Sequence, residues 1–323
     1  MQPTVRWGIL SAAKIAREWV APAIHNSARG TIAAIASRSP GKAEALAARY
    51  GEVRIHHEYE ALLADPGVDA VYIPLPNGGH VEWTEKALRA GKHVLCEKPI
   101  ALKADEIDGL IALREASGCF AAEAFMVTHH PQWHRVRELI SQGAIGTLRH
   151  VQGGFTFFND DPGNIRNDAA QAGGALRDIG VYPSVVTRFV TMQEPTAITA
   201  RIDWDRGIDS TARVWAEFPG FTMDFYVSMR MHGYQQMHFH GDAGWIKVMT
   251  PFNAKQYGDD VLEIRDRSGV VRSERFPLVD QYTAQIDAFN ATVLDGAPYV
   301  CPLEFSRGNQ RMIDMIYAGA RDA

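Results

Sequence analysis

Cysteine, dense basic runs and long apolar stretches are all scarce in this chain of 323 residues. Its three cysteines, Cys96, Cys119 and Cys301, lie far apart and form no CxxC pair, which indicates reduced, buried thiols rather than a disulfide framework. The formal net charge is -5 and no Lys/Arg run is present, so we expect neither nucleic acid nor a membrane surface as a partner. A small molecule is the expected partner.

The N-terminal segment MQPTVRWGIL lacks the basic region, apolar core and cleavage site of a secretory signal. No segment is apolar enough to span a bilayer, and we therefore expect a cytoplasmic protein. Hydrophobic residues make up 46% of the chain and charged residues 22%, as in globular proteins. The length predicts two domains.

Short apolar segments alternate with helical patterns through the first 124 residues, which predicts a doubly wound parallel sheet of the Rossmann type, an α/β domain over residues 1–125. From residue 148, aromatic-rich segments of period two replace this alternation. They predict strands at residues 148–158, 197–203, 210–218, 221–231, 236–240 and 245–248, with helices at 281–294 and 303–317 closing the same domain.

We therefore expect an α+β second domain over residues 126–323, built on a large, open, mostly antiparallel sheet. The many Phe, Trp, Tyr and Met residues of these strands predict a sheet face covered by a partner subunit, in a homodimer or homotetramer. The alternative is that these aromatic residues form the core of the domain.

The first strand, turn and helix, at residues 5–24, lie where a dinucleotide-binding fingerprint GxGxxG would occur. The three glycine positions are Ser11, Ala13 and Ala16, so the motif is degenerate and weak when taken alone. The candidate cofactor contacts of this turn are Ser11, Ala12, Ala13, Lys14 and Ile15.

The second strand, residues 31–38, ends in Ser37 and Arg38, where an acidic residue would bind the ribose hydroxyls of NAD. Serine and arginine can instead donate hydrogen bonds to a 2′-phosphate, which favours NADP and leaves NAD possible. The alternative is that Arg38 is a solvated charge on a loop.

Two further strands end in candidate site residues. After the fourth strand, Pro76 and Asn77 are candidates for the nicotinamide half of the cofactor, whereas His80 either joins them or caps its own helix. After the fifth strand come Glu97 and Lys98, a charged pair that is costly to bury unless it is paired or used. We interpret Lys98 as catalytic.

Histidines at positions 129, 130 and 134 raise the possibility of a metal site. Pro131 argues against it, because proline favours the first helical turn and places His130 before the helix. We expect His130 to be structural or to contact the substrate. His238 and His240 alternate on a strand but have no acidic or thiol ligand spaced with them, so no metal is predicted.

Asp178 and Tyr182 lie four residues apart on a helical pattern that follows Gly173 and Gly174, so their side chains share one face. An acid and a phenol that point into a cleft can hold a sugar hydroxyl. The alternative is an ordinary amphipathic helix with two solvated polar residues.

Taken together, these segments resemble the glucose-fructose oxidoreductase and inositol dehydrogenase family, Gfo/Idh/MocA. The resemblance covers essentially the whole chain and rests on RWGILSAAKIA, IASRSPGKAEALAARYG, the PN..H loop, GKHVLCEKP, EAFMVTHHPQW and GGALRDIGVYP. It implies that Lys98 lies beside nicotinamide and substrate, that Glu97 and Lys98 both contact the cofactor, and that Asp178 and Tyr182 form the second family signature.

Tyrosine at position 182 resembles the subgroup that contains dihydrodiol dehydrogenase and NADP-dependent D-xylose dehydrogenase. The NIR segment also resembles that subgroup and implies a substrate contact by Arg166. The chain departs from the family pattern at Ser11 and Ala13 and at Val127-Thr128. The substrate contacts expected from all these observations are Lys98, His130, Arg166, Asp178 and Tyr182.

The function expected from the resemblance is NADP-dependent hydride transfer at a sugar or polyol hydroxyl, first of all oxidation of an aldose at C1. Tyr182 would act as acid/base, Lys98 would favour its phenolate and polarise the substrate oxygen, and Asp178 would orient the sugar; the first two roles are exchangeable. The alternatives are a reductase of a keto-sugar or dicarbonyl such as an anhydrofructose, a trans-dihydrodiol dehydrogenase, or a non-catalytic dinucleotide sensor.

Overall fold

The computed structural model describes residues 3–256 and 258–321, which group into two compact units. The first unit contains the chain up to His129 together with Asp280–Arg307, and the second contains His130–Val279 together with the chain from Gly308 onward.

The first unit is built on a six-stranded parallel sheet with the strand order β3-β2-β1-β4-β5-β6. The strands are β1 Val5–Leu10, β2 Gly30–Ala36, β3 Arg54–His56, β4 Ala70–Ile73, β5 His93–Cys96 and β6 Ala121–Glu123. A π-helical turn, Ala16–Val20, leads into α1 Ala21–Asn26, and α2 Lys42–Ala47, α3 Tyr59–Leu63, α4 His80–Arg89 and α5 Ala104–Ser117 follow. The predicted Rossmann-type sheet is confirmed.

The second unit contains α6 Pro131–Ser141, α7 Val181–Thr191 and a nine-stranded mixed sheet. Its strands are β7 Leu148–Phe158, β8 Ala197–Asp205, β9 Ile208–Phe218, β10 Phe221–Ser228, β11 Arg230–Gly241, β12 Trp245–Val248, β13 Val261–Arg265, β14 Val271–Arg275 and β15 Ala320–Arg321. Two helices, α8 Gln281–Asp295 and α9 Leu303–Ala318, lie between β14 and β15 in the chain. The sheet order is β14-β13-β12-β11-β7-β10-β9-β8-β15.

The large, mostly antiparallel sheet agrees with the prediction, and three details correct it. The predicted strand over residues 221–231 ends at Ser228, and the next strand already begins at Arg230. The pair β7 and β10 is parallel, as is the pair β8 and β15. Strands β13, β14 and β15 were not predicted; the β14 segment VRSER, for example, is short and charged and lacks the apolar alternation that identifies a strand.

Helix α8 groups with the first unit, whereas the sequence pattern assigned it to the second domain. The indole Nε1 of Trp7 donates to Asn290 Oδ1 over 3.0 Å, and the rings of Trp7 and Phe289 lie 4.7 Å apart. The helical period identifies a helix with a buried face, but it carries no information about which surface that face covers. The predicted domain boundary near residue 125 stays a prediction.

Candidate functional site

The predicted cofactor residues of the first unit follow the carboxyl ends of four strands: β1, β2, β4 and β5. These strands are parallel neighbours, so their carboxyl ends lie at one edge of the sheet. In doubly wound sheets, this edge is where ligands bind, next to the point at which the strand order reverses. That point lies here between β1 and β4.

The turn after β1 adopts the backbone conformation of a dinucleotide fingerprint without its first glycine. Ser11 has φ +109°, a region that favours glycine, and its N–H donates to Ala36 O over 2.9 Å. Ala12 is buried, and Ala16, at the third glycine position, is fully buried. Small side chains therefore keep the turn close to the sheet, and the turn fits a bound pyrophosphate.

The remaining predicted contacts of this turn, Ala13, Lys14 and Ile15, keep part of their surface accessible. Lys14 is exposed, and its Nζ lies 3.9 Å from the carboxylate of Glu18 one helical turn later. An exposed pair at this distance leaves the ammonium largely solvated. The backbone of the turn, more than these side chains, therefore makes the turn suitable for binding a pyrophosphate.

Ser37 and Arg38 follow β2 as predicted. The hydroxyl of Ser37 donates to Ser39 O over 3.2 Å and accepts from Ser39 N–H over 3.1 Å, which forms a tight local turn. Arg38 is exposed, and its guanidinium carbon lies 4.9 Å from the centre of the Tyr59 ring. Stacking on this ring orients the guanidinium and leaves its N–H donors available for an anion. The structure therefore fits a 2′-phosphate at this position.

The loop after β4 contains Pro76 and Asn77, and Asn77 begins the short 3₁₀-helix Asn77–Gly79 with its side chain partly accessible. His80, by contrast, is fully buried: its Nδ1 lies 2.7 Å from Pro99 O and its Nε2 lies 2.7 Å from Leu75 O. Burial lowers the pKa of His80, and the two carbonyls oppose this effect. Because no surface of its side chain is accessible, His80 cannot contact a cofactor, and its predicted cofactor role is corrected to a structural one. The alternative prediction, that His80 caps its own helix, is also wrong, because no side chain caps α4.

Glu97 and Lys98 follow β5 and are both partly buried. The Tyr72 hydroxyl donates to Glu97 Oε1 over 2.5 Å, and Glu97 N–H donates to Ile73 O over 3.0 Å. The Lys98 N–H donates to Glu97 Oε2 over 3.3 Å, and the Lys98–Pro99 peptide bond is cis. Glu97 is therefore fastened to β4, and Lys98 directly follows this fixed point.

Glu123, at the end of β6, belongs to this region and was not predicted. Its carboxylate is buried and accepts the Ile100 N–H at 2.9 Å. Burial is the main cause that raises the pKa of Glu123 to about 7, and the hydrogen bond from the Ile100 N–H partly opposes this rise. Glu123 belongs to the EAFM segment, but its position at a strand end does not indicate which backbone group its carboxylate binds.

In the second unit, the structure brings Arg166 and Asp178 together: Arg166 Nε donates to Asp178 Oδ2 over 2.6 Å. Asp178 lies in a π-helical turn, Leu176–Gly180, that continues directly into α7, where Tyr182 lies. The Tyr182 ring packs against Phe155 and Phe252, with 5.6 Å between ring centres in each case. π-Helical turns are frequent at functional sites. Here the turn joins the acid and the phenol of the predicted signature.

His130 is the predicted substrate contact that the structure places elsewhere. It is fully buried, caps α6 by accepting the Gln132 N–H at Nδ1 over 3.2 Å, and places Nε2 3.4 Å from Asp260 Oδ2. Its ring lies edge-on to Phe276. Of the two predicted roles, the structural one fits and the substrate contact is wrong, because no surface of the ring is accessible.

Asp209 anchors the helix of Asp178 and Tyr182 and was also missed. It is buried and accepts the Leu176 N–H over 2.6 Å and the Tyr317 hydroxyl over 2.8 Å. A Cβ on Gly174, whose φ is +125°, would overlap the Asp209 carboxylate. Burial raises the pKa of Asp209 to about 6. The helix therefore begins at a fixed point on β9.

The histidine clusters do not form a metal site in the part of the chain that the structure describes, where no group of three or more His, Cys, Asp or Glu side chains is arranged for an ion. His134 packs edge-on against Phe189, and His238 stacks on His240 along β11. Over residues 3–256 and 258–321, no helix combines the length and apolarity needed to cross a bilayer.

Comparison with known proteins gives two matching family models. Residues 5–125 match the Gfo/Idh/MocA oxidoreductase family with an NAD-binding Rossmann fold, and residues 133–247 match a Gfo/Idh/MocA C-terminal domain. An uncharacterised oxidoreductase of Rhizobium meliloti is 39% identical over 98% of this chain and 97% of its own. An NADP-dependent D-xylose 1-dehydrogenase of Haloferax volcanii is 34% identical over 97% of both chains.

Among solved structures, the 3-ketoreductase KijD10 of Actinomadura kijaniata in complex with NADP and TDP-benzene has a TM-score of 0.91 and 32% identity, over 99% of this chain and 98% of that one. Structures of KijD10 variants changed at one lysine and at one tyrosine also match this chain over nearly its full length.

Proposed function

The chain belongs to the Gfo/Idh/MocA family of NAD(P)-dependent oxidoreductases, and from this premise we propose that it transfers a hydride between NADP and a carbinol carbon of a sugar or polyol. The first candidate reaction is the oxidation of an aldose at C1 to its lactone. The observation that carries the proposal is the position of Lys98 at the sheet edge where Ser11 and Arg38 also lie. Membership of an oxidoreductase family weighs against a non-catalytic sensor.

The residues that would hold NADP are those at this sheet edge. The Ser11 turn would hold the pyrophosphate through its backbone, and Asn77 would lie on the nicotinamide side. Arg38 would bind the 2′-phosphate, next to the local turn that the Ser37 hydroxyl forms with Ser39. When bound, NADP supplies the hydride acceptor, or the donor in its reduced form. NADP is also the cofactor in the matching KijD10 structures and of the xylose dehydrogenase.

The chain's own residues would handle the proton and the charge. In oxidation, Tyr182 as phenolate takes the proton of the reacting hydroxyl at its Oη, while the Lys98 ammonium favours the phenolate and stabilises negative charge on the substrate oxygen. Asp178, held by Arg166 at 2.6 Å, accepts a neighbouring sugar hydroxyl. A second version exchanges the roles of Lys98 and Tyr182.

A second candidate function is the reduction of a keto-sugar by NADPH. The observation that favours it is the full-length similarity to KijD10, a 3-ketoreductase. The lysine and the tyrosine substituted in the KijD10 variants are separated by the same number of residues as Lys98 and Tyr182. The same two groups would then work in reverse, with the tyrosine donating the proton to the carbonyl oxygen. Oxidation of a trans-dihydrodiol would use them in the first direction.

The experiment that tests the proposed function follows NADPH absorbance with the purified protein and two substrate sets. The first set contains aldoses, inositols and trans-dihydrodiols with NADP or NAD; the second contains keto-sugars, free and nucleotide-linked, and dicarbonyls with NADPH. Turnover of an aldose supports C1 oxidation, and turnover of a keto-sugar alone supports the reductase. Tight NADPH binding without turnover in either set would contradict both and favour a sensor.

Replacing Arg38 with alanine is expected to raise KM for NADP about 10- to 100-fold, because a charge-assisted hydrogen bond contributes about 1.5–3 kcal/mol. KM for NAD, which has no 2′-phosphate, should change less than about 2-fold. Steady-state kinetics with both cofactors measures the ratio. Arg89→Ala is the matched control, since Arg89 is exposed at the end of α4. An equal rise in KM for NADP and for NAD would show that Arg38 does not bind the 2′-phosphate.

Self-association through the open sheet face stays a proposal. On this face Trp215 and Tyr234 are each 45% exposed, and Arg201 lies directly opposite Arg213 on one side and Arg321 on the other. Arg213 already has a counter-charge, because its guanidinium donates to Asp203 Oδ2 over 2.9 Å, so the exposed aromatic side chains are what favours coverage of this face.

We expect light scattering to show a dimer or tetramer at micromolar concentration. Trp215→Glu should reduce the mass of this species, whereas Leu278→Glu, at a position already 93% exposed, should not. A monomer for the unmodified chain would contradict the proposal. Location in the cytoplasm and the absence of a bound metal likewise stay predictions.

A further inference from the structure

The peptide group that joins Pro99 to Ile100, immediately after Lys98, is held at both of its polar atoms by buried side chains. Its carbonyl oxygen lies 2.7 Å from His80 Nδ1, and its N–H donates to Glu123 Oε1 over 2.9 Å. His80 is 0% exposed and Glu123 is 3% exposed. We call His80 and Glu123 the peptide clamp.

Each side of the clamp is itself fixed to a different strand end. Nε2 of His80 lies 2.7 Å from Leu75 O in the loop after β4. Glu123 ends β6, and the N–H of the next residue, Ala124, donates to Cys96 O, the last residue of β5, over 2.7 Å. The clamp therefore ties the loop after β5 to both neighbouring strands.

The clamp and Glu97 hold the backbone on the two sides of Lys98 in the sequence. Glu97 precedes Lys98 and is held by Tyr72 at 2.5 Å, whereas the clamped peptide begins at the residue after Lys98. The backbone of Lys98 is thus constrained before and behind. A lysine side chain has four rotatable bonds, so the direction of its backbone sets the region that its ammonium can reach.

We propose that His80 and Glu123 are positioning residues for Lys98: they fix its backbone so that its ammonium meets the substrate oxygen, without touching substrate or cofactor themselves. This inference rests on the proposed function, in which Lys98 acts on the substrate. A misplacement of about 1 Å at such a group can cost on the order of 100-fold in rate. Loss of the clamp should therefore lower kcat and leave cofactor affinity unchanged.

The test compares two substitutions of Glu123 with nearly the same shape. Glutamine keeps an oxygen that accepts the Ile100 N–H, whereas leucine has no acceptor. We expect Glu123→Leu to lower kcat about 30-fold or more, and Glu123→Gln to recover most of that loss. The dissociation constant of NADPH, measured by fluorescence, should stay within about 3-fold in both. His80→Phe removes the other side of the clamp and serves as a second variant if Glu123→Leu does not fold.

Hydrogen exchange at the Ile100 amide gives a readout that is independent of turnover and of bound cofactor. In the protein without NADP, exchange at Ile100 should be at least about 10-fold faster in Glu123→Leu than in Glu123→Gln, at equal melting temperature. Equal exchange rates would overturn the clamp, and equal kcat values for the two variants would overturn its role in positioning.

The Lys98→Ala background separates this inference from the proposed function. If the clamp acts through Lys98, adding Glu123→Leu to Lys98→Ala should change residual kcat by less than about 2-fold. A further full loss in the double variant would overturn the inference while the proposed function stands. Full activity of Lys98→Ala alone would overturn the proposed function and the positioning role together.

Discussion

Lys98→Ala is expected to lower kcat about 1,000-fold while the dissociation constant of NADPH changes less than about 3-fold. Removing one preorganised charge at a reacting oxygen costs on the order of 100- to 1,000-fold, and loss of support for the proton-transferring group adds to this. The substitution leaves Glu97 on Tyr72 and the peptide clamp in place, because those contacts use other atoms. Single-turnover and steady-state rates at saturating cofactor measure the loss.

Lys86→Ala is the matched control for this prediction. Lys86 lies on α4 of the same unit and pairs with Glu82 and Glu60 at the surface, where ion pairs contribute little. Its loss should leave kcat unchanged within about 2-fold. Retention of more than a tenth of the kcat in Lys98→Ala would rule out both versions of the mechanism, since each version requires the ammonium.

Tyr182→Phe is expected to lower kcat by about 100- to 10,000-fold, the usual contribution of a positioned acid or base. Only the hydroxyl is removed, so the ring should keep its packing against Phe155 and Phe252. The same hydroxyl would serve the oxidative and the reductive reaction, and the loss should therefore appear in both directions. Stopped-flow measurement of the hydride-transfer step in each direction checks this.

Tyr234→Phe controls for the loss of a phenol. Tyr234 is exposed on β11 and donates to Gln236 over 2.6 Å, so its replacement should not affect turnover. If Tyr182→Phe keeps most of its kcat while Lys98→Ala loses it, the version with Lys98 as the proton-transferring group is favoured. If both variants stay active, neither group handles the proton.

The predictions from sequence succeeded where a pattern is local. Alternating apolar strands and helices identified the parallel sheet, and a polar residue directly after a parallel strand lies at its carboxyl end whatever the rest of the chain does. That is why Ser37, Arg38 and Lys98 lie where they were expected. The pairing of Arg166 with Asp178 confirms only that the two side chains are close, because their roles toward a substrate stay proposals.

The sequence by itself determined the two kinds of sheet, the family and the strand ends on which the candidate groups lie, because residue periodicity and short motifs encode these features within a few residues. Only the tertiary structure showed that His80 and His130 are fully buried, structural residues. It also showed that Glu123 binds the Ile100 N–H, and that Asp209 accepts a hydrogen bond from the start of the helix that contains Tyr182. Each of these roles depends on a contact between residues that are not neighbours in the sequence. Burial distinguishes a structural histidine from an accessible one, and burial is established only when the chain folds.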